Sequence, residues 1–405
     1  MGAGASVSVS LESELQKPRD GSDVATPRGE SAKNEVIRLR KTLFRQQRTE
    51  RLKCAVMGGM LCDAVSSTLL WHYDVDKLKE LVGDKEPFFF PKEHLCPYLK
   101  PMVEAGHYDK PSSLSPFGEQ NLMFIDTMKD VDKTADIDGQ AQSDVYYSWA
   151  KDFKGYKEMN VKVFEAAYSE GKKYPDIAPN HIGGEQAEML GKGALCALKY
   201  RDQPKEFQEK QCRAFTLVSH SSKWVLELAV LQMKMILFLA EGKSVSDALD
   251  QALGECDSDM QSETNPGNSS LKELAAHARA NLCKTGTEMY KMMNEHIRKD
   301  AWKAEISKTV PAYHPPEESM DDFARFTCTN CFSMNGFIIC ISILLQTTDW
   351  KEAMKLSIMT GGDSAGRGLF LGSCLGAING SLPTDLAAAW EGRAEIQKKV
   401  DACAN

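Results

Sequence analysis

The stretch Leu356-Ser357-Ile358-Met359-Thr360-Gly361-Gly362-Asp363-Ser364-Ala365-Gly366-Arg367-Gly368-Leu369-Phe370-Leu371-Gly372-Ser373-Cys374-Leu375-Gly376-Ala377-Ile378-Asn379-Gly380 decides how this chain is read. An apolar helix end runs into Gly361-Gly362, a carboxylate follows at Asp363, and a second apolar segment begins at once. That segment is too rich in small residues for an ordinary amphipathic helix. Each glycine inside it costs about 1 kcal/mol of helix propensity against alanine. A helix carries that cost where a neighbouring backbone or a ligand must come close. Two readings stand side by side. Gly361-Gly362-Asp363 is the mouth of a site, or the segment is a closely packed core helix with Asp363 as its N-terminal cap.

Outward from this stretch, apolar positions recur at helical spacing almost throughout. The pattern predicts helices over 138–152, 158–170, 183–200, 204–219, 222–241, 244–254, 271–299, 334–346, 349–359, 365–379 and 384–402. Sustained alternation typical of strands is absent, so the expected fold class is all-α. Residues 54–73 read as a helix apolar nearly all round, hence buried, with Asp63 in its middle. A carboxylate there needs a hydrogen bond, an ionic partner or a metal. Residues 84–116, rich in proline, form a long irregular connection. It delivers Pro116-Phe117-Gly118-Glu119-Gln120, where Glu119 either complements a helix dipole or points inward as a second carboxylate.

Three smaller features carry chemistry in principle. In Val218-Ser219-His220-Ser221-Ser222 a histidine and hydroxyls meet at a helix junction, in a structural or a catalytic role. Cys328 and Cys331 have C-x-x-C spacing, which reads as a redox pair, half a zinc site or two apolar core cysteines. Gly183-Gly184-Glu185-Gln186 precedes a helix much as Gly361-Gly362-Asp363 does. Residues 256–270 and 303–325 are expected loops.

The chain has 405 residues, 42% hydrophobic and 26% charged, a composition that supports a sizeable core. Its net charge of −8 argues against a nucleic-acid binder, whose phosphate partners would demand a basic face. Scattered cysteines in apolar runs do not form a secreted disulfide framework, no signal peptide is visible, and apolar runs such as 336–345 are too short to span a bilayer. The expectation is a cytoplasmic protein. Residues 1–34 read as a disordered tail beginning Met1-Gly2-Ala3-Gly4-Ala5-Ser6, a pattern suited to myristoylation of Gly2. Residues 35–53 read as a basic amphipathic helix. It is either the solvated first helix of the domain or, with acylated Gly2, a peripheral membrane anchor. The folded domain is expected over 54–405.

Several landmarks fall in one order: Cys62-Asp63-Ala64 with Leu70-Trp71-His72-Tyr73-Asp74, then Pro116-Phe117-Gly118-Glu119-Gln120, then Val218-Ser219-His220-Ser221, then Gly361-Gly362-Asp363-Ser364-Ala365-Gly366-Arg367-Gly368. Together they resemble the ADP-ribosylglycohydrolase superfamily, most nearly its branch of J1-type crystallins and selenoprotein J. The resemblance implies a compact all-α domain with a two-magnesium cleft. Active relatives cleave the N- or O-glycosidic bond between ADP-ribose and its acceptor.

By the same resemblance Asp63, Glu119 and Asp363 stand where metal ligands belong. Glu119 and Asp363 would carry the catalysis, and Gly361, Gly362, Ser364, His220 and Asp63 would contact the ligand. The small-residue helix would line the ligand's path. The chain departs from the pattern at Gly118, Ala365 and Gly366, where ligand side chains are missing. The remaining carboxylates suit one Mg²⁺ held weakly, or none. The implied functions are a hydrolase for ADP-ribosyl or related glycosidic bonds, or a catalytically inactive, crystallin-like structural or ligand-binding protein.

Overall fold

A computed structural model of the chain describes residues 27–96, 99–104, 106–108, 110–179, 185–261, 269–282, 285, 288 and 332–405. Helices carry the architecture, and no strand occurs among the described residues, only isolated bridges. The fold is all-α. In chain order the helices are α1 (Pro27–Ser66), α2 (Val75–Val82), α3 (Lys100–Glu104), α4 (Pro116–Met128), α5 (Gly139–Asp152), α6 (Met159–Ser169), α7 (Lys192–Lys199) and α8 (Lys205–Thr216). They continue as α9 (Lys223–Ala240), α10 (Val245–Gly254), α11 (Leu271–Ala280), α12 (Ser333–Leu344), α13 (Trp350–Met359), α14 (Ser364–Asn379), α15 (Thr384–Ala389) and α16 (Arg393–Ala404). Short 3₁₀ turns cover Ser67–Leu69, Lys92–His94 and Ala187–Gly191.

Local chemistry sets most of these boundaries. Side chains of Asp74, Ser115, Asp138, Glu158, Ser244, Ser270, Asp349 and Asp363 accept backbone N–H bonds at helix starts. Ser270 and Glu273 form a reciprocal capping box. Gly380, at φ 65°, closes α14 in the left-handed conformation.

Several boundaries differ from expectation. The predicted helix 183–200 is a 3₁₀ turn over Ala187–Gly191 followed by an α-helix over Lys192–Lys199 alone. The basic segment 35–53 and the apolar segment from Cys54 form one continuous helix, which begins at Pro27, inside the tail expected to be disordered. The change from amphipathic to all-round apolar marks where α1 enters the core, not where a helix ends. At its other end α1 stops at Ser66 rather than Tyr73, since the Ser66 and Ser67 hydroxyls bond back to carbonyls of Cys62, Asp63 and Ala64. The predicted helix 384–402 divides into α15 and α16 around Trp390. Of the predicted helix 271–299, α11 covers Leu271–Ala280, and nearly all of the rest lies outside the described residues. Gly2, Gly183, Gly184, Cys328, Cys331 and the loop 303–325 also lie outside them. By length and composition Asn34–Leu69 could cross a membrane, but 89% of that apolar window is buried within the fold. None of the cysteines among the described residues forms a disulfide.

The centre of the molecule is the pair α1 and α14. Gly368, Gly372 and Gly376 recur every four residues, on one face of α14. A Cβ added at Gly372 would lie 2.1 Å from the Gly58 carbonyl oxygen, and one at Gly376 2.0 Å from that of Cys54. Gly58 and Gly59 answer from α1, with added Cβ atoms 2.3 Å from the Gly372 oxygen and 2.6 Å from the Leu369 oxygen. The glycine stripe therefore seats one backbone on another. It does not line a ligand's path. α9 packs against α14 as well, its faces almost wholly buried. The two backbones cannot separate by a methyl group without disturbing this core. Gly372→Ala is expected to destabilise the protein by about 2–3 kcal/mol through overpacking, measured by chemical denaturation.

Candidate functional site

The site forms where α1 ends and α14 begins. Past the 3₁₀ turn the chain reverses at Trp71, whose φ of 63° is unusual for a side chain of that size. The Trp71 N–H donates to the Gly362 oxygen and the Gly362 N–H to the His72 oxygen, both at 2.7 Å. This bridge ties the end of α1 to the Gly361-Gly362 turn. Both glycines have positive φ, 75° and 67°, and a Cβ at Gly361 would lie 2.6 Å from the His72 oxygen. The turn then aims Asp363 into the interior.

Asp363 is both cap and buried acid. One oxygen accepts from the Gly366 N–H at 3.1 Å, while Oδ2 is buried without a hydrogen-bond partner. Burial raises its carboxyl to about 7, against the pull of Arg367 and the Gly366 N–H, with Glu188 pushing further up. Arg367 is itself buried, and donates to the carbonyls of Ser357 (2.8 Å) and Gly361 (2.7 Å). It thereby holds the end of α13 and the Gly-Gly turn together. Ser364 is buried beside Asp363, its hydroxyl without a partner.

Asp63 reaches the same region from α1. Its Oδ1 accepts from the Ser115 N–H at 2.8 Å and its Oδ2 from the Ser115 hydroxyl at 2.5 Å. The same hydroxyl accepts the Phe117 and Gly118 N–H groups, so Ser115 starts α4 and fixes Asp63 together. A Cβ at Gly118 would fall 2.1 Å from Asp63 Oδ1. A side chain at 118 and Asp63 in this position exclude one another. Burial raises Asp63 to about 7, Ser115 pulls it back, and Asp363 and Glu119 push it up. Glu119, half-buried in the first turn of α4, is raised by burial to about 6. The three sequence-predicted carboxylates are thus brought into one electrostatic neighbourhood.

They do not compose a magnesium cage. Magnesium takes oxygen ligands in near-octahedral order. The Asp63 oxygens accept from Ser115 and one Asp363 oxygen caps α14, and Gly118, Ala365 and Gly366 offer no side-chain ligand atoms to complete a shell around them. Among the described residues no three acidic, histidine or cysteine side chains are arranged to hold an ion.

His220 belongs to a neighbouring buried network. Its Nε2 lies 3.1 Å from Glu188 Oε1, its Nδ1 2.7 Å from the Ser219 hydroxyl, and Asn160 Nδ2 donates to Glu188 at 2.9 Å. Lys192 donates to Ser219 at 2.5 Å and sits 4.1 Å from the Phe124 ring centroid. Burial lowers Lys192 to about 7. Burial pushes Glu188 up, but His220 and Asn160 outweigh it and hold the carboxyl low. With every member buried, this network braces α6, α7 and the 185–191 segment behind Asp363.

Ser115, Glu188 and Lys192 escaped the sequence reading, and Arg367 entered it only as part of the Gly361–Gly368 landmark, with no role. Only Lys192, charged between Gly191 and Gly193, and Arg367, charged between Gly366 and Gly368, carried a local signal. Both buried aspartates bind protons more tightly folded than unfolded, where Asp sits near about 3.9. The folded chain holds the extra protons between about pH 4 and pH 7, so stability falls as pH rises through that window. Asp363→Asn keeps the cap and removes one such group. Denaturation at several pH values is expected to show a slope shallower by up to about 1.4 kcal/mol per pH unit.

Comparison with known proteins agrees with this architecture. A search of curated proteins finds no match. A solved structure described as an ADP-ribosylglycohydrolase-related protein complex is similar, with a TM-score of 0.52 and 15% identity, over 89% of this chain and 98% of that one. At that identity the likeness concerns the fold alone. The model of the ADP-ribosylglycohydrolase family matches residues 45–405. That span takes in the end of α1, Ser115, Glu119, His220 and the Gly-Gly-Asp turn, and the chain belongs to the ADP-ribosylglycohydrolase family.

Proposed function

We propose that this glycohydrolase-like protein recognises an ADP-ribosyl or related nucleotide-sugar group without the two-magnesium hydrolysis implied by its resemblance to active relatives. The observation that carries the reading is Asp63. Its two oxygens accept from Ser115, and its carboxylate fills the space where a ligand side chain at 118 would stand. Recognition is supported by an aromatic cluster that includes Trp71, which bonds to the Gly-Gly turn. Half-buried Trp71 and Tyr156 meet edge to face at 4.9 Å, and the Lys162 ammonium lies 5.5 Å from the Tyr156 centroid. Aromatic faces suit a base, an ammonium suits phosphate, and a carboxylate suits ribose hydroxyls. Gly361 and Gly362 shape the turn, and Asp363 and Ser364 offer buried acceptors at its floor.

Calorimetry with Mg²⁺ alone, ADP-ribose alone and both together tests this. ADP-ribose is expected to bind equally with and without Mg²⁺, and no ADP-ribosyl bond is cleaved. Binding or turnover that requires Mg²⁺ sinks the reading. Absence of ADP-ribose binding leaves the crystallin-like structural role.

A second reading rests on Glu119, whose carboxyl, raised to about 6, is partly protonated near neutral pH. Such a group acts as a general acid toward a glycosidic leaving group. In that case metal-independent cleavage is measurable, and Glu119→Gln lowers its rate by about 10²-fold or more. Membrane association through an acylated Gly2 and the basic start of α1 is a separate part of the proposal, tested by fractionation of Gly2→Ala.

A further inference from the structure

The long N-terminal part of α1 leaves three large apolar side chains uncovered. Val36, Leu39 and Leu43 are 45%, 52% and 52% exposed, half of the large exposed hydrophobic side chains among the described residues. Their spacing of three and then four places them in a single stripe. Ile37, Phe44 and Arg48 lie on a neighbouring face and are less exposed, and Arg48 pairs with Glu241 of the body at 3.1 Å. The stripe therefore points away from the chain's own core.

We propose that this stripe docks a second copy of the same helix, forming a parallel two-stranded coiled coil. Val36 and Leu43 take the a positions and Leu39 the d position of the heptad. A β-branched residue at a with leucine at d favours two strands. Charge complementarity sets the orientation. In that register Glu35 occupies g and Arg40 the e position five residues on, the two places that face each other across a parallel dimer. Each copy supplies both partners, so the two-fold pairing closes on itself. Glu35 now bonds Arg38 of its own turn at 2.6 Å, an exposed pair that exchanges partners at little cost.

The charge distribution disfavours a lipid surface for this stripe. Arg38, Lys41 and Arg45 project from the far side of the helix, and the borders of the stripe carry one cation, Arg40, and one anion, Glu35, whereas a helix lying in an acidic bilayer lines both borders of its apolar face with cations. The seam ends at Gln46, the next d position, so it spans little more than one heptad. Association is therefore weak and depends on concentration.

Sedimentation of the full chain over a concentration series is the test. A monomer–dimer equilibrium is expected, and Leu39→Asp, at an exposed site, raises its dissociation constant about tenfold or more while the thermal unfolding temperature of the monomer stays unchanged. Glu35→Arg and Arg40→Glu each weaken the dimer, and the two combined restore it. A chain that stays monomeric at every concentration overturns the proposal. So does a dimer indifferent to Leu39→Asp, or a double charge exchange that fails to restore it. If Leu39→Asp lowers the stability of a monomeric chain, a segment of the chain itself covers the stripe. If it instead abolishes binding of monomers to vesicles of acidic phospholipid, the stripe is a membrane face. Either result rejects the second copy.

Discussion

The backbone contact between α1 and α14 is the constraint on which the other elements depend. Where Gly58 meets Gly372 and Cys54 meets Gly376, no side chain separates the two helices. Such proximity costs helix propensity at several glycines, and the burial of the helices around them offsets it. It also fixes the register of the pair. With that register set, Asp63 on α1 and Asp363 at the head of α14 face one interior region, and the bridge from His72 to Gly362 ties the two segments together.

That region is electrostatically costly. Two aspartates lie in full burial, with Glu119 and Glu188 near them, and Arg367 and Lys192 are the buried cations. Ser115 and Arg367 manage this through backbone chemistry. Ser115 spends one hydroxyl on both a helix cap and a carboxylate. Arg367 directs its guanidinium to two carbonyls, at the end of α13 and in the Gly-Gly turn. A neutral core would be cheaper, and proteins commonly hold such groups at functional positions. The same arrangement removes ligand capacity. Ser115 fixes the orientation of Asp63, and Gly118 is what lets it sit there.

The resemblance read from Cys62-Asp63-Ala64, Pro116–Gln120, Val218–Ser221 and Gly361–Gly368 pointed to the family whose model matches residues 45–405. The C-terminal landmark was the most specific because Gly-Gly-Asp needs positive φ, a cap and a buried acid within three residues. Ser115 and Glu188 offered no comparable signal. Serine before proline is an ordinary cap, and a glutamate in the run Ala187-Glu188-Met189-Leu190 does not announce His220 as its partner.

By itself the sequence determined the all-α class and most helix boundaries, because periodicity and turn signals are local properties of a few consecutive residues. Its alternatives for the glycine-rich helix and for Asp63 stayed open. The tertiary structure decided both. The glycines meet a backbone more than 300 residues away in the chain, and Asp63 meets a serine 52 residues away. Such pairings depend on which helix faces cross and how closely, and no local pattern in the chain encodes that distance.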